Sequence, residues 1–264
     1  MTEDNYIQLD DFNLYTRQIK ATNNSSLPVL IFLHDSWGCI EMWDDFPEKI
    51  ANRSGLNALM YDRRGYGKSS AFAVKQRTEY YLHEEADELI RVMDYFKIPK
   101  ALLYGHSDGA TISLIAAAKY PDRFCGLILE GAHSFIEDSG KAAVLESRER
   151  AKTNTLLKSL KRYHGDKTEE LFRLWHETWL SDFFAHWTIV PLLKNIKCPV
   201  LSFQGVNDPF GTVEQLNVLK KEIKAPVTIT EIQNSAHTPR SENEPDSMKC
   251  IREFLISQKE NNYK

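Results

Sequence analysis

Apolar residues fall in short, dense runs separated by charged stretches. Runs at 28–34, 56–61, 101–104, 126–130, 198–203 and 227–232 predict strands. The first is apolar without interruption, which suits a central strand covered on both faces. Residues 6–20 read as two further strands around the Asp10-Asp11 turn, followed by a polar loop over 21–26. Between the strands, 41–53, 78–96, 110–120, 213–224 and 241–257 read as helices. In the second, Leu82, Ala86, Leu89, Ile90 and Met93 share one stripe. In the last, Met248, Ile251, Phe254 and Leu255 point inward.

Strand and helix alternate up to about residue 131, stop, and resume at about 194. Such alternation predicts an α/β fold: a mostly parallel sheet with helices on both faces. The interruption, 132–193, reads as helical and rich in aromatics. It is too long for a loop. The expectation is a core of 1–131 and 194–264 with an inserted helical cap over the carboxyl ends of the strands, where such sheets place their sites.

Composition narrows the class. The 264 residues suit one large domain or two small ones, and 42% are apolar, enough for a substantial core. A net charge of −4 from 33 basic and 37 acidic residues, well mixed, implies no nucleic-acid and no membrane partner. No apolar run approaches the roughly 20 residues that span a bilayer. The polar, acidic start argues against a signal peptide, and four scattered cysteines read as reduced packing residues, so a cytoplasmic protein is expected. No H-E-x-x-H or Cys/His cluster suggests a metal, and nothing suggests a cofactor.

The chemistry centres on Gly105-His106-Ser107-Asp108-Gly109. An apolar run precedes it, and a run without Gly or Pro follows. Gly-x-Ser-x-Gly in that setting predicts a serine thrust out on a tight strand-to-helix turn. The glycines are needed because the chain two residues either side crowds the turn. A serine hydroxyl needs a base, and the base needs an orienting carboxylate. In this architecture the order is serine, acid, histidine, each after a strand. Asp208 follows the 198–203 run, and His237 follows the 227–232 run. Ser107, Asp208 and His237 are therefore the expected catalytic residues. The expected oxyanion donors are the backbone N–H groups of Asp108 and Ser36.

Trp37 reads equally as pocket wall or core. Trp175 and Trp179 read as pocket lining or as the insert's own core. His106 and His133 are expected to line the site or pack beside it. His83, His164, His176 and His186 are expected to be solvated or cap-lining, with His83 and Asp87 an exposed pair. Asp108 reads first as a helix-start residue stabilised by the dipole, and second as a carboxylate that selects a cationic substrate.

The sequence resembles the α/β-hydrolase superfamily over essentially its whole length. The resemblance rests on His34-Asp35-Ser36-Trp37-Gly38, Asp62-Arg63-Arg64-Gly65-Tyr66-Gly67-Lys68-Ser69, the Ser107 pentapeptide, Asp208 and His237. The Asp-Arg-x-Gly-x-Gly-x-Ser stretch is similar to that of the cap-bearing, esterase-like branch. The pentapeptide with Ala117-Ala118-Lys119-Tyr120-Pro121-Asp122-Arg123 resembles bacterial members and valacyclovirase-type amino-acid ester hydrolases. It implies hydrolysis of a small carboxylic ester or thioester through an acyl-enzyme. Asp35 departs from the His-Gly usual in the family. Carbon–carbon hydrolysis, haloperoxidase-type chemistry and a non-catalytic small-ligand receptor remain alternatives on the same scaffold. Dehalogenases and epoxide hydrolases need an Asp where Ser107 stands. The oligomeric state stays open, a homodimer included.

Overall fold

The computed structural model describes residues 1–22, 26–153, 155–261 and 263. The loop read over 21–26 lies partly outside them. Among the described residues eight strands form one sheet, in the order β1-β2-β4-β3-β5-β6-β7-β8. The strands are β1 (Thr2–Leu9), β2 (Phe12–Ile19), β3 (Val29–Leu33), β4 (Ala58–Tyr61), β5 (Ala101–His106), β6 (Phe124–Glu130), β7 (Val200–Gly205) and β8 (Val227–Ile232). β1 and β2 form an antiparallel hairpin, and β2 joins β4 antiparallel. All pairings from β4 through β8 are parallel.

The central strands are buried almost throughout, with only Val29, at the start of β3, partly exposed. Leu30, Ile31, Phe32, Leu102, Leu103, Leu127, Ile128, Val200 and Leu201 have no measurable exposure. Removing a side chain of this size from water contributes about 1.5–3 kcal/mol. Successive residues face opposite sides of the sheet, so each strand feeds two cores. One face packs against α2 (Tyr81–Tyr95) and α3 (Asp108–Lys119). The other packs against α1 (Phe46–Ser54) and the last long helix, α9 (Glu244–Glu260). No helix among the described residues is long and apolar enough to cross a membrane.

Two expected helices divide. The 41–53 stretch becomes a 3₁₀ turn, Ile40–Trp43, and then α1, with Asp44 between them at φ 50°. The turn is held because the Ile40 N–H donates to the Asp62 carboxylate at 2.7 Å. The 241–257 stretch becomes a one-turn α8 (Pro239–Glu242) and α9, whose start is capped by the Asn243 side chain.

Between β6 and β7 lie α4 (Asp138–Ala151), α5 (Thr155–His164) and α6 (Thr168–Trp179). This stretch is not helical throughout. Two 3₁₀ turns, Asp182–Phe184 and Val190–Asn195, close it, and Phe135 pairs with Thr188 in a single β-bridge. That bridge joins its two ends. Gln215, on α7 (Val213–Glu222), anchors them by accepting from the Ser134 N–H and donating to the Phe135 carbonyl.

Candidate active site

β5 turns into α3 at Ser107, whose backbone lies at φ 55°, ψ −118°. A non-glycine residue rarely adopts this conformation, and holding it costs on the order of 1–3 kcal/mol. The flanking glycines are sterically required. A Cβ on Gly105 would lie 2.3 Å from the Gly109 carbonyl oxygen, and one on Gly109 would lie 2.1 Å from that of Leu33. The turn therefore wedges between neighbouring backbones and lifts the hydroxyl to the carboxyl edge of the sheet.

Two loops at that edge meet Ser107. His237 follows β8, and its Nε2 lies 2.9 Å from Ser107 Oγ. Its Nδ1 lies 2.9 Å from both carboxylate oxygens of Asp208, which follows β7. Asp208 also accepts from the Phe210 N–H at 2.9 Å. Burial works against a charge on the His237 imidazole, but Asp208 outweighs it, so its pKa is raised. Burial likewise pushes Asp208 up, and the His237 partner more than reverses this, so its carboxyl titrates low. The Asp208 carboxylate thus favours the protonated form of the His237 imidazole.

The loop after β3 is braced from several sides. Asp35 to Gly38 is a turn closed by the Gly38 N–H to the Asp35 carbonyl. Asp35 Oδ1 accepts from the Trp37 N–H at 2.7 Å, and Oδ2 lies 3.2 Å from His106 Nδ1. The other His106 nitrogen contacts the His237 carbonyl at 2.8 Å, linking this loop to the histidine loop. Burial raises the Asp35 carboxyl, but His106 and Arg240 hold it far below the usual carboxylate range. Arg63, fully buried, donates to the carbonyls of His34 and Asp35. Ser36 occupies the second turn position, whose N–H takes no part in the turn's closing bond. Asp108 begins α3, where first-turn N–H groups lack intrahelical partners.

A cavity opens beside Ser107. Trp37, Trp175 and Trp179 line it, with His133, Val144 and Phe210. Trp175, Trp179 and Val144 come from α6 and α4, so the segment between β6 and β7 forms part of its wall. Asp108 does not line it with its side chain. The carboxylate is fully buried and turned toward α2, where Tyr81 donates to it at 3.3 Å. The expectation of Asp108 as a substrate-binding side chain is thereby corrected: its tertiary partner draws it away from the cavity. His164 takes the cap-lining alternative rather than the solvated one. It is buried, accepts from the Gly67 N–H at 2.9 Å and contacts the Trp37 carbonyl at 2.7 Å. His83 faces Tyr80, while Asp87 binds Lys119 and Tyr120 instead.

Residues 28–153 match the family model described as alpha/beta hydrolase fold. A membrane phospholipase A, described as a bacterial virulence factor, superposes with a TM-score of 0.79 over 97% of this chain and 86% of that one, at 19% identity. The chain has the α/β-hydrolase fold. Among curated proteins, it is similar to the human serine hydrolase BPHL, 26% identical over 186 residues. That match covers 67% of this chain and 62% of the relative. It is also similar to an epoxide hydrolase of Caballeronia sordidicola, 33% identical over 126 residues, or 47% of this chain and 37% of the relative. The matched stretch is thus less than two thirds of either relative.

Sequence reasoning left Phe210 and Val144 out of this candidate site. Phe210 had a usable signal. It lies two residues beyond Asp208 in the same loop, and its ring sits 4.7 Å from that of His237. Val144 had none, because a small apolar residue on an amphipathic helix reads as core. The polar partnership of Asp35 with His106 was equally silent, being 71 residues apart.

Proposed function

We propose that this chain is a serine hydrolase that cleaves small carboxylic esters or thioesters through an acyl-enzyme. The observation that carries the reading is the unbroken chain of contacts from Ser107 Oγ through His237 to Asp208, each at 2.9 Å. Ser107 Oγ attacks the carbonyl carbon while His237 Nε2 takes its proton. The carbonyl electron pair moves to oxygen, which the N–H groups of Ser36 and Asp108 receive. Collapse expels the alkoxide or thiolate, protonated by His237. Water then enters, gives its proton to His237, attacks the acyl carbon and releases the acid and free Ser107.

The segment between β6 and β7 acts as a cap in this reading, because its tryptophans wall the cavity. The printed names of the relatives include a serine hydrolase and an epoxide hydrolase. Position 107 favours the first chemistry, since it holds a hydroxyl and no carboxylate stands there. The test is hydrolysis of p-nitrophenyl acetate by the parent and by Ser107→Ala. The expected loss is at least about 10³-fold in kcat. Parental turnover by the variant would refute the assignment.

A further inference from the structure

Three hydrogen-bond donors converge on one oxygen, the carbonyl of Asp35. Arg63 Nη2 donates to it at 2.8 Å and the Gly38 N–H at 3.2 Å. His34 Nδ1 lies 2.8 Å from the same oxygen. Hydrogen bonds fix the tautomer of His34. Its Nε2 accepts from the Arg63 backbone N–H at 3.1 Å. Burial, with the Arg63 charge adding to it, holds its pKa well below the usual imidazole value, so the ring is neutral. A neutral ring whose Nε2 accepts carries its hydrogen on Nδ1, which therefore donates to the Asp35 carbonyl. Arg63 Nη2 also passes 3.3 Å from Nδ1, but its two hydrogens go to the carbonyls of His34, at 3.2 Å, and Asp35.

The other end of the same peptide is the Ser36 N–H, which donates to no group among the described residues. Ser36 lines the cavity beside Ser107, whereas Arg63 and His34 do not. The peptide is planar and trans, so its N–H points opposite to its carbonyl, away from Arg63 and His34. A backbone N–H without a partner gains by turning toward an acceptor. Here that rotation would break three hydrogen bonds at once. The cation that holds it is itself costly. Arg63 is fully buried, answered by Glu85 at 3.6 Å and by the Tyr66 ring at 4.5 Å. Taking a charge out of water carries a large penalty, so a buried guanidinium aimed at one loop calls for a reason.

Resting on the hydrolase reading above, we propose that Arg63 is the positioning residue of the oxyanion site. Its guanidinium holds the Asp35–Ser36 peptide with the Ser36 N–H turned from the carbonyl's partners toward the cavity. It also draws electron density onto the carbonyl, which makes that N–H a stronger donor to the charge developing on a substrate oxygen. His34 is the neutral second donor that keeps the carbonyl end in place. Arg63 does not line the cavity, so the gain falls on the transition state and leaves ground-state binding alone.

The test compares 1,1,1-trifluoro-4-phenylbutan-2-one with 4-phenylbutan-2-one as inhibitors of p-nitrophenyl acetate hydrolysis. Ser107 Oγ adds to the activated ketone carbon, its proton passes to His237, and the carbonyl electron pair becomes an oxyanion that the Ser36 N–H receives. The unfluorinated ketone reports binding without that charge. The readout is the ratio of the two inhibition constants on one protein sample, so the folded fraction cancels. The preference for the fluorinated ketone should shrink at least about tenfold in Arg63→Met, with KM for the ester within about threefold of the parent. It should shrink less in Arg63→Lys, which keeps a cation opposite Glu85. A role in stability alone would lower the yield of active protein and leave the ratio unchanged. The parental ratio in Arg63→Met would overturn the inference. Should Arg63→Met not fold, Arg63→Lys decides: a reduced preference supports the inference and the parental ratio overturns it. Ser107→Ala hydrolysing the ester at the parental rate would instead overturn the hydrolase reading.

Discussion

At position 237 two opposing forces act on one imidazole. Burial resists the charge, the Asp208 carboxylate favours it, and the carboxylate wins. A raised pKa means the proton is kept to higher pH, and in the proposed mechanism His237 acts as base only without it. The acid limb of kcat/KM should therefore have its midpoint above the ~6.5 of a free imidazole. Asp208→Asn should move that limb down and reduce kcat by about 10⁴-fold, as removal of the orienting carboxylate does in such triads. Asp35 also raises His237, through space, as does Glu130, while His106 and His133 pack against the same ring. Asp35→Asn keeps an oxygen for the Trp37 N–H but loses the charge. Its pH–rate profile should show the acid limb shifted to lower pH, with kcat at the plateau reduced less than in Asp35→Gly. Unchanged limbs in both variants would show that Asp35 has no part in setting the base.

At the scale of elements, the β5–α3 turn fixes Ser107, the proposed nucleophile, and its tolerance is small. Gly109→Ala drives a methyl against the Leu33 carbonyl, which is backbone in a central strand and cannot swing aside. Urea unfolding should register a loss of at least about 3 kcal/mol, the upper end for overpacking, or no folded protein. This turn was legible because its constraint is local: five residues carry the whole steric argument. The central strands were legible because burial on both faces leaves an apolar run. β1 was only half visible. Its first four residues are polar and exposed, and the ladder to β2, starting at Thr2 opposite Ile19, extends it beyond any apolar pattern. The break at Asp44 was hidden because the Asp62 carboxylate that holds Ile40 arrives from 22 residues away. The partners of His164 were hidden for the same reason, lying 97 and 127 residues distant. Long-range polar contacts leave no periodicity to read.

Across the described residues, the sheet gathers four strand ends to one rim, where the proposed chemistry is placed. Ser107 follows β5, His133 follows β6, Asp208 follows β7 and His237 follows β8. The rest of the fold is insulation and support. The four cysteines illustrate it. All are buried and unpaired. Burial pushes the thiols of Cys39, Cys198 and Cys250 up to about 12, and that of Cys125 to about 11. Reactivity follows the thiolate, so the native protein should titrate no thiol with Ellman's reagent within minutes, and four once denatured. Rapid native labelling would mean that the core opens readily.

The most direct measurement of the central claim is intact-protein mass after a short incubation with a fluorophosphonate. One adduct per chain should form, peptide mapping should place it on Ser107, and His237→Ala should label at least about 10²-fold more slowly, because general-base assistance is lost. No adduct on the parent, or an adduct on another residue, would contradict the account.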